Sequence, residues 1–243
     1  MKDNFSKQSD LYAQFRPTYP PELYDFLLPL VPDVNTAWDC GTGNGQVAAE
    51  LAGYFEKVYA TDISISQLNN AVQKTNIFYS IAPAEHTSFT AQSFDLITVA
   101  QAIHWFDFNE FYKEVRRTLK PNGIIAVIGY GLIETNPKLD ELINYFYTDI
   151  VGKYWDKERK YIDDNYQTIP FPFNEIPAPK LSVSYKWNVD QLIGYLNTWS
   201  AVQHYKDKNN ENPVGLIIDE LINRCGSDIF EVKFPTLLRV GKV

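Results

Sequence analysis

Short apolar runs alternate with helically spaced apolar positions along the first half of the chain. Thr36–Cys40 reads as a buried strand, Gly41-Thr-Gly-Asn-Gly45 as a turn, and 46–54 as a helix with Val47, Leu51 and Phe55 on one face. Residues 57–61 form a second strand ending at Asp62. A second helix spans 66–74 with Leu68 and Val72 inward, and a third strand falls near Ile77–Ile81. Phe94–Ala100 is a near-continuous apolar run suited to a central strand covered on both faces. A helix over 108–119 follows, stopped by Lys120-Pro-Asn-Gly123 before a strand over 124–128. Such alternation with short loops predicts an α/β fold: a mostly parallel sheet, helices on both faces, right-handed crossovers.

Beyond Gly131 the rhythm changes. Residues 137–154 read as helical and aromatic, 155–167 as charged, and Ile169-Pro-Phe-Pro-Phe173 with Pro177 and Pro179 cannot be regular helix. The segment 132–179 is therefore expected to be a lid or insertion, not a separate domain. A strand over 180–187 follows. Helical spacing returns over 190–205 through Leu192, Tyr195, Leu196 and Trp199, and over 212–225 through Ile217, Leu221 and Ile222. A last strand over 230–240 closes the sheet. The expectation is one domain over 1–243: an N-terminal arm and helix over 1–35, a core over 36–131, the lid, and a C-terminal part over 180–243.

Composition narrows the chemistry. The chain has 243 residues, long enough for a substantial core, and 22 Lys+Arg against 30 Asp+Glu. An acidic chain without a basic block argues against nucleic acid as partner. The densest basic stretch, 153–160, is interrupted by Asp156 and Glu158 and reads as a solvated helix face. Cys40 and Cys225 are far apart and the three histidines are dispersed, so neither a disulfide framework nor a metal site is expected, and Cys40 reads as a small core residue. No run approaches the roughly 18 apolar residues of a membrane helix, and the first ten residues lack a signal-like apolar region; a soluble, cytoplasmic protein is the expectation. The unusual figure is aromatic content, 16 Tyr, 15 Phe and 5 Trp.

The strongest chemical signal is Asp39-Cys-Gly-Thr-Gly-Asn-Gly45 at a strand end, with Asp62 at the end of the next strand. In such a unit glycines let a ligand approach the backbone, and the second acid accepts from ribose hydroxyls. The spacing Gly-x-Gly-x-Gly places Gln46 where the dinucleotide fingerprint has its third glycine, which disfavours NAD without excluding it. No Lys-Ser or Lys-Thr pair follows the loop to meet a phosphate chain. A nucleoside without a phosphate chain is the expected ligand.

Over roughly residues 10–131 the chain resembles the class I methyltransferases that use S-adenosylmethionine. The likeness is carried by the glycine loop, Asp62, Ser93-Phe-Asp-Leu96 and Leu119-Lys-Pro-Asn-Gly123. Tyr12-Ala-Gln-Phe-Arg-Pro-Thr-Tyr-Pro20 and Ala102-Ile-His-Trp-Phe-Asp107 are similar to the type 11 group, in the branch that includes trans-aconitate methyltransferase. The resemblance implies a Rossmann-like seven-stranded sheet with an antiparallel last strand and a helical, aromatic lid. It also implies S-adenosylmethionine as cofactor and a small-molecule methyl acceptor as partner.

Residue by residue, the resemblance implies that Gly41 and Gly43 line the methionine and ribose of the cofactor and that Asp62, followed by Ile63, holds the ribose. Gln101 and Ala102 would lie beside the sulfonium end. Tyr12 and Arg16 would close over the cofactor, with Arg16 pairing its carboxylate; a surface ion pair is the alternative for Arg16. Asp39 would orient the loop through backbone amides. Ala84 and Glu85 stand in the loop after the third strand, near the adenine, where Pro83 departs from the Asp common in relatives. For His104 two roles stand: general base facing the acceptor, or packed residue beside Trp105. The aromatic groups Tyr145-Phe146-Tyr147 and Tyr154-Trp155 suit a lid over an organic substrate. O-methylation of a carboxylate or hydroxyl is the leading function, ahead of a non-catalytic cofactor-binding module with an aromatic partner surface and a nucleotide-dependent oxidoreductase.

Overall fold

The computed structural model describes residues 15–226 and 229–243. Its core is an eight-stranded sheet ordered β3-β2-β1-β4-β5-β8-β6, with β7 also paired to β8. The strands are β1 (Thr36–Cys40), β2 (Lys57–Asp62), β3 (Ile77–Ile81), β4 (Phe94–Ala100), β5 (Leu119–Tyr130), β6 (Asn174–Ile176), β7 (Ser182–Trp187) and β8 (Phe230–Lys242). β1 to β5 pair in parallel. β8 runs antiparallel to β5, β6 and β7. The chain reverses strand order between β1 and β4, so the carboxyl ends of these strands open a crevice where α/β sheets bind ligands.

Alternation along the strands divides the core. On β5, Ile125 and Val127 join one apolar cluster while Ile124, Ala126 and Ile128 join the cluster on the opposite face. The first face is covered by α4 (Phe108–Thr118) through Phe111 and Val115. The second is covered by α1 (Pro21–Leu27) and α2 (Gln46–Leu51) through Leu23, Leu27, Val47 and Leu51. Phe94 shares a face with Ile97 and Val99 although its parity is that of Leu96, because the register of β4 on β5 shifts between Phe94 and Leu96.

A third cluster forms a cap over one end of β7 and β8. It joins α5 (Pro137–Tyr145), α7 (Val189–Asn197), α8 (Ser200–Asn209) and α9 (Ile218–Cys225) through residues such as Phe146, Tyr195, Trp199 and Leu221, packed on Val232 and Phe234. The segment 132–179 divides between two surroundings. Its first part belongs to this cap, whereas Tyr166, Ile169, Phe171 and Phe173 pack beneath the sheet with Tyr112. Arg239 of β8 ties that second part down. It pairs with Glu175 at 2.8 Å and donates to the carbonyls of Tyr166 and Ile169 at 3.1 and 2.7 Å. Asn165 and Tyr166 are consecutive left-handed residues, with φ of 53° and 60°.

Several sequence expectations shift. The sheet gains an eighth strand, since proline-flanked Asn174–Ile176 pairs at the edge of β8. β5 begins at Leu119, the last residue of the expected helix, and runs through the breaker cluster, because Leu119 pairs with Phe94 across the register shift. The second helix, α3 (Ile65–Asn69), ends early and leaves Val72 44% exposed. The helix expected over 137–154 ends as α5 at Tyr145 and widens into a π turn over Phe146–Ile150. The helix expected over 190–205 is two, α7 and α8, separated at Thr198 and Trp199. Ile222 is 46% exposed, since Ile217, Leu221 and Cys225, spaced four apart, already fill the inward stripe.

Candidate active site

The site is built at the end of β1. Asp39 is buried and accepts from Thr98 Oγ1 at 2.8 Å, Thr42 Oγ1 at 2.5 Å and the Ala48 amide at 3.2 Å. Burial pushes its carboxyl up to about 6 against the pull of these hydrogen bonds, with Asp62 adding to the rise. The side chain thus fixes the turn from behind and is not among the residues facing the cavity. Gly41 has φ +67°, and a Cβ there would sit 2.7 Å from Ala102 Cβ. At Gly43, φ +56°, the nearest atom to such a Cβ is Gln67 Oε1 at 3.9 Å, so the turn opens onto free space.

Asp62, at the end of β2, accepts from the Gly43 amide at 2.9 Å and the Ser64 amide at 2.8 Å. Its carboxylate and Ile63 line a cavity that is open at its mouth. Gly41 and Gly43 form the floor of this cavity, and Gln101, Ala102 and Arg16 its far side. A carboxylate beside glycine backbone, with Val47 and Ala100 as apolar walls, suits a ribose and its base. The residues therefore fit an S-adenosyl group.

Ala84 and Glu85 stand apart. Ala84 is buried in the core, and Glu85 Oε1 accepts from the Asp107 amide at 3.0 Å, at the start of α4. Tyr12 lies outside the described residues. Sequence reasoning missed Ser64, Gln67, Tyr19 and Tyr130, all of which line the cavity. Ser64 caps α3 by accepting from the Gln67 amide. A Ser-x-x-Gln spacing directly after Asp62 was the available signal for these two. Tyr130 carries no local signature.

Arg16 is half-buried at the junction of two cavities. Its guanidinium donates to Tyr130 Oη at 2.9 Å and to the Thr198 carbonyl at 3.1 Å, and lies 5.4 Å from the Tyr195 ring centroid. The second cavity, about 500 Å³, shares Arg16, Gln101 and Trp105 with the first. Gln101 holds a left-handed conformation, φ 52°, and its Nε2 donates to the Tyr130 carbonyl at 3.1 Å. That backbone turn places it where β4 leaves the sheet, between the two cavities.

His104 lines the second cavity and is packed between Trp105 and Tyr166, with Nδ1 3.5 Å from Tyr166 Oη. Burial, with the Arg159 charge adding to it, lowers its basicity to about 3, so the imidazole is neutral over the physiological range. Arg159 corrects the reading of 153–160 as a solvated face. It opens α6 (Arg159–Asp163), is only 18% exposed, and stacks on Trp155 and Tyr147 at 4.7 and 5.2 Å in the wall of the second cavity. Among the described residues no helix is long and apolar enough to cross a membrane, and no cluster of His, Cys, Asp and Glu is disposed to hold a metal ion.

Comparison with known proteins agrees with this architecture. Residues 38–127 match the family model described as a methyltransferase domain. A Dictyostelium discoideum protein named as a methyltransferase is 33% identical over 249 residues, spanning 99% of this chain and 95% of that one. A solved structure from Anaeromyxobacter dehalogenans, assigned as a type II methyltransferase, is 36% identical with a TM-score of 0.87, covering 94% of this chain and 98% of that one. A Bacillus halodurans structure at 18% identity and a TM-score of 0.53 shares the fold. Glycine turn, the acid at the end of β2, sheet order and full-length similarity converge: the chain belongs to the class I S-adenosylmethionine-dependent methyltransferases.

Proposed function

We propose that the protein transfers a methyl group to an oxygen of a small organic acceptor, a carboxylate or a hydroxyl, seated in the second cavity. The observation that carries this reading is the wall of Arg16, Gln101 and Trp105 common to both cavities, which supports an acceptor and the cofactor meeting across the same three side chains. The bound cofactor supplies an electrophilic methyl on a sulfonium. Asp62 is assigned to the ribose hydroxyls, Gly41 and Gly43 to close backbone approach, and Gln101 with Ala102 to the reacting end. Arg16 is assigned to the cofactor carboxylate.

The chain's contribution is alignment and exclusion of water, which together are worth about 7 to 11 kcal/mol in well-oriented reactions. A carboxylate is already ionised at neutral pH and needs no base. The depressed basicity of His104 favours that acceptor over a hydroxyl, whose proton would have to leave. Of the segment 132–179 expected to form the lid, residues 146–163, with their stacked aromatics, are assigned that role, since Tyr166–Phe173 pack beneath the sheet. A cytoplasmic setting accords with the two free, buried thiols of Cys40 and Cys225.

Calorimetric titration with S-adenosylhomocysteine tests the cofactor side, and saturable binding is expected; no heat at millimolar ligand overturns it. On the acceptor side, labelled methyl offered with a panel of carboxylic acids, phenols and amines should appear in oxygen-linked product, base-labile where the acceptor is an acid. Label confined to amines overturns the oxygen assignment.

A further inference from the structure

Arg159 is prepared for a ligand that the described residues do not provide. Its Nε donates to Tyr147 Oη at 2.7 Å and faces Asp163 Oδ1 at 3.2 Å, and the ring systems of Trp155 and Tyr147 cover its plane. These contacts use one edge and the faces of the guanidinium. The two Nη groups make no hydrogen bond to a described residue. A planar fork held on one edge and stacked on its faces has already lost the rotamer freedom that binding would otherwise cost, and its free edge matches two carboxylate oxygens.

The cations around it have different tasks. Among the described residues the second cavity is lined by the guanidinium groups of Arg16 and Arg159 and by one carboxylate, Asp156, and the imidazole of His104 is neutral; with Arg16 assigned to the cofactor carboxylate, Arg159 is the cation that faces an acceptor. Asp156 stands 3.8 Å from His204 Nδ1, and Asp163 is engaged at the Nε edge of Arg159. Arg16 is already committed to Tyr130 and Thr198. Arg159 is the guanidinium left with an unengaged fork.

From this geometry we infer that Arg159 is a specificity-determining residue, which selects acceptors carrying an anionic anchor group, a carboxylate or its equivalent, in addition to the oxygen that is methylated. The inference rests on the acceptor cavity assigned above. The anchor and the reacting oxygen are separate groups, because a carboxylate held in a bidentate fork has its lone pairs directed at the guanidinium and is a poorer nucleophile. Trp105 and Trp155 give the body of such an acceptor flat apolar surfaces.

The test uses benzoate and its neutral counterpart benzamide as probes, titrated into the full chain with S-adenosylhomocysteine present and followed by tryptophan fluorescence, alongside Arg159→Gln and Arg159→Lys. Wild type should bind benzoate at least about tenfold more tightly than benzamide, the gain typical of a charge-assisted fork. Arg159→Gln should abolish the preference, and Arg159→Lys should retain only a few-fold of it, since it keeps the charge and loses the fork. Unchanged S-adenosylhomocysteine affinity in both variants controls for folding. Equal binding of acid and amide by wild type, absence of saturable binding of either probe, or a preference that survives in Arg159→Gln overturns the inference. Failure of the function proposed above is read separately: label confined to amines alongside an intact acid preference sinks the oxygen assignment and leaves Arg159 as an anion selector.

Discussion

The two cavities share the wall of Arg16, Gln101 and Trp105 and are built by opposite means. The first cavity is framed by backbone turns at strand ends: two left-handed glycines, the turn after β2 and the end of β4, each fixed by hydrogen bonds within a few residues of a strand end. The second cavity, proposed above for the acceptor, is assembled from side chains of distant segments. Arg16 approaches from the N-terminal side, His104 and Trp105 from the loop after β4, Trp155 and Arg159 from the cap, and Ser200 from α8. Backbone geometry gives a site that tolerates little change and recognises one ligand. Converging side chains give a site that can be re-lined without disturbing the sheet.

Buried titratable groups offer the sharpest way to separate the two halves. Asp39 titrates near 6 in the fold against an ordinary value of 3.8, so the folded state holds a proton that the unfolded chain has lost, and stability falls as pH rises from 4 to 6. His104 is opposite. It titrates near 3 against 6.5, so the unfolded chain binds the proton and stability rises over the same window. Each contributes about 3 kcal/mol across two pH units, and in wild type the two trends offset one another. Denaturant melts at pH 4, 5 and 6 should show Asp39→Asn with a stability that rises with pH relative to wild type, and His104→Gln with one that falls. Parallel curves for all three proteins would remove the contrast.

A smaller effect is expected at Asp62. Removing a carboxylate that accepts from Gly43 and Ser64 and faces the ribose site should weaken S-adenosylhomocysteine binding in Asp62→Ala by about 2 kcal/mol, some 30-fold, with an unchanged circular-dichroism spectrum. Unaltered affinity by calorimetry would contradict the ribose assignment. Gly41→Ala should cost about 1 to 2 kcal/mol of stability from its left-handed backbone alone, with a further loss from crowding Ala102 Cβ. The closest part of that crowding is the Ala102 contact, with Phe106 Cζ next at 3.3 Å, so Ala102→Gly should recover most of it and leave the backbone part in place. Full recovery, or none, would break the backbone account of this cavity.

The smallest change is expected in turnover at His104. With a carboxylate acceptor, His104→Gln should lose less than about tenfold in kcat and add no inflection to the pH profile between 5 and 8, whereas a general base is worth about 10² to 10⁴. A larger loss with a new inflection would move the residue from packing to proton transfer.

This contrast also explains what could be read in advance. The turn over Gly41 to Gly45, Asp62 and the apolar run of β4 are contiguous, and their spacing is set by local backbone geometry. Parallel strands and helices on both faces followed from the same periodicity. Arg159 was hidden by its neighbours: basic and acidic residues alternate over 153–160 as on any solvated helix, and only the fold turns Tyr147 and Trp155 toward the guanidinium. Tyr130 and Ser200 enter the cavities through packing between distant segments, which leaves no trace in spacing. β6 is three residues between prolines, too short to display a period of two. Ile222 was placed inward because one-face spacing admits either of two adjacent apolar residues, and Leu221 took the position.

The position of β8 in the sheet has a consequence for how the protein is made. β5 is buried through Gly123–Tyr130 once β8 lies beside it. Until then it is an uncovered, strongly apolar edge, of the kind that pairs with other chains. At about 5 to 20 residues per second, the stretch from Tyr130 to Lys242 takes roughly 6 to 20 s to synthesise. During that interval the nascent chain holds the makings of the cofactor half without the strand that protects it, or the Arg239 that anchors the loop behind His104. The ribosome-bound intermediate is therefore the form of this protein with the greatest need of a chaperone.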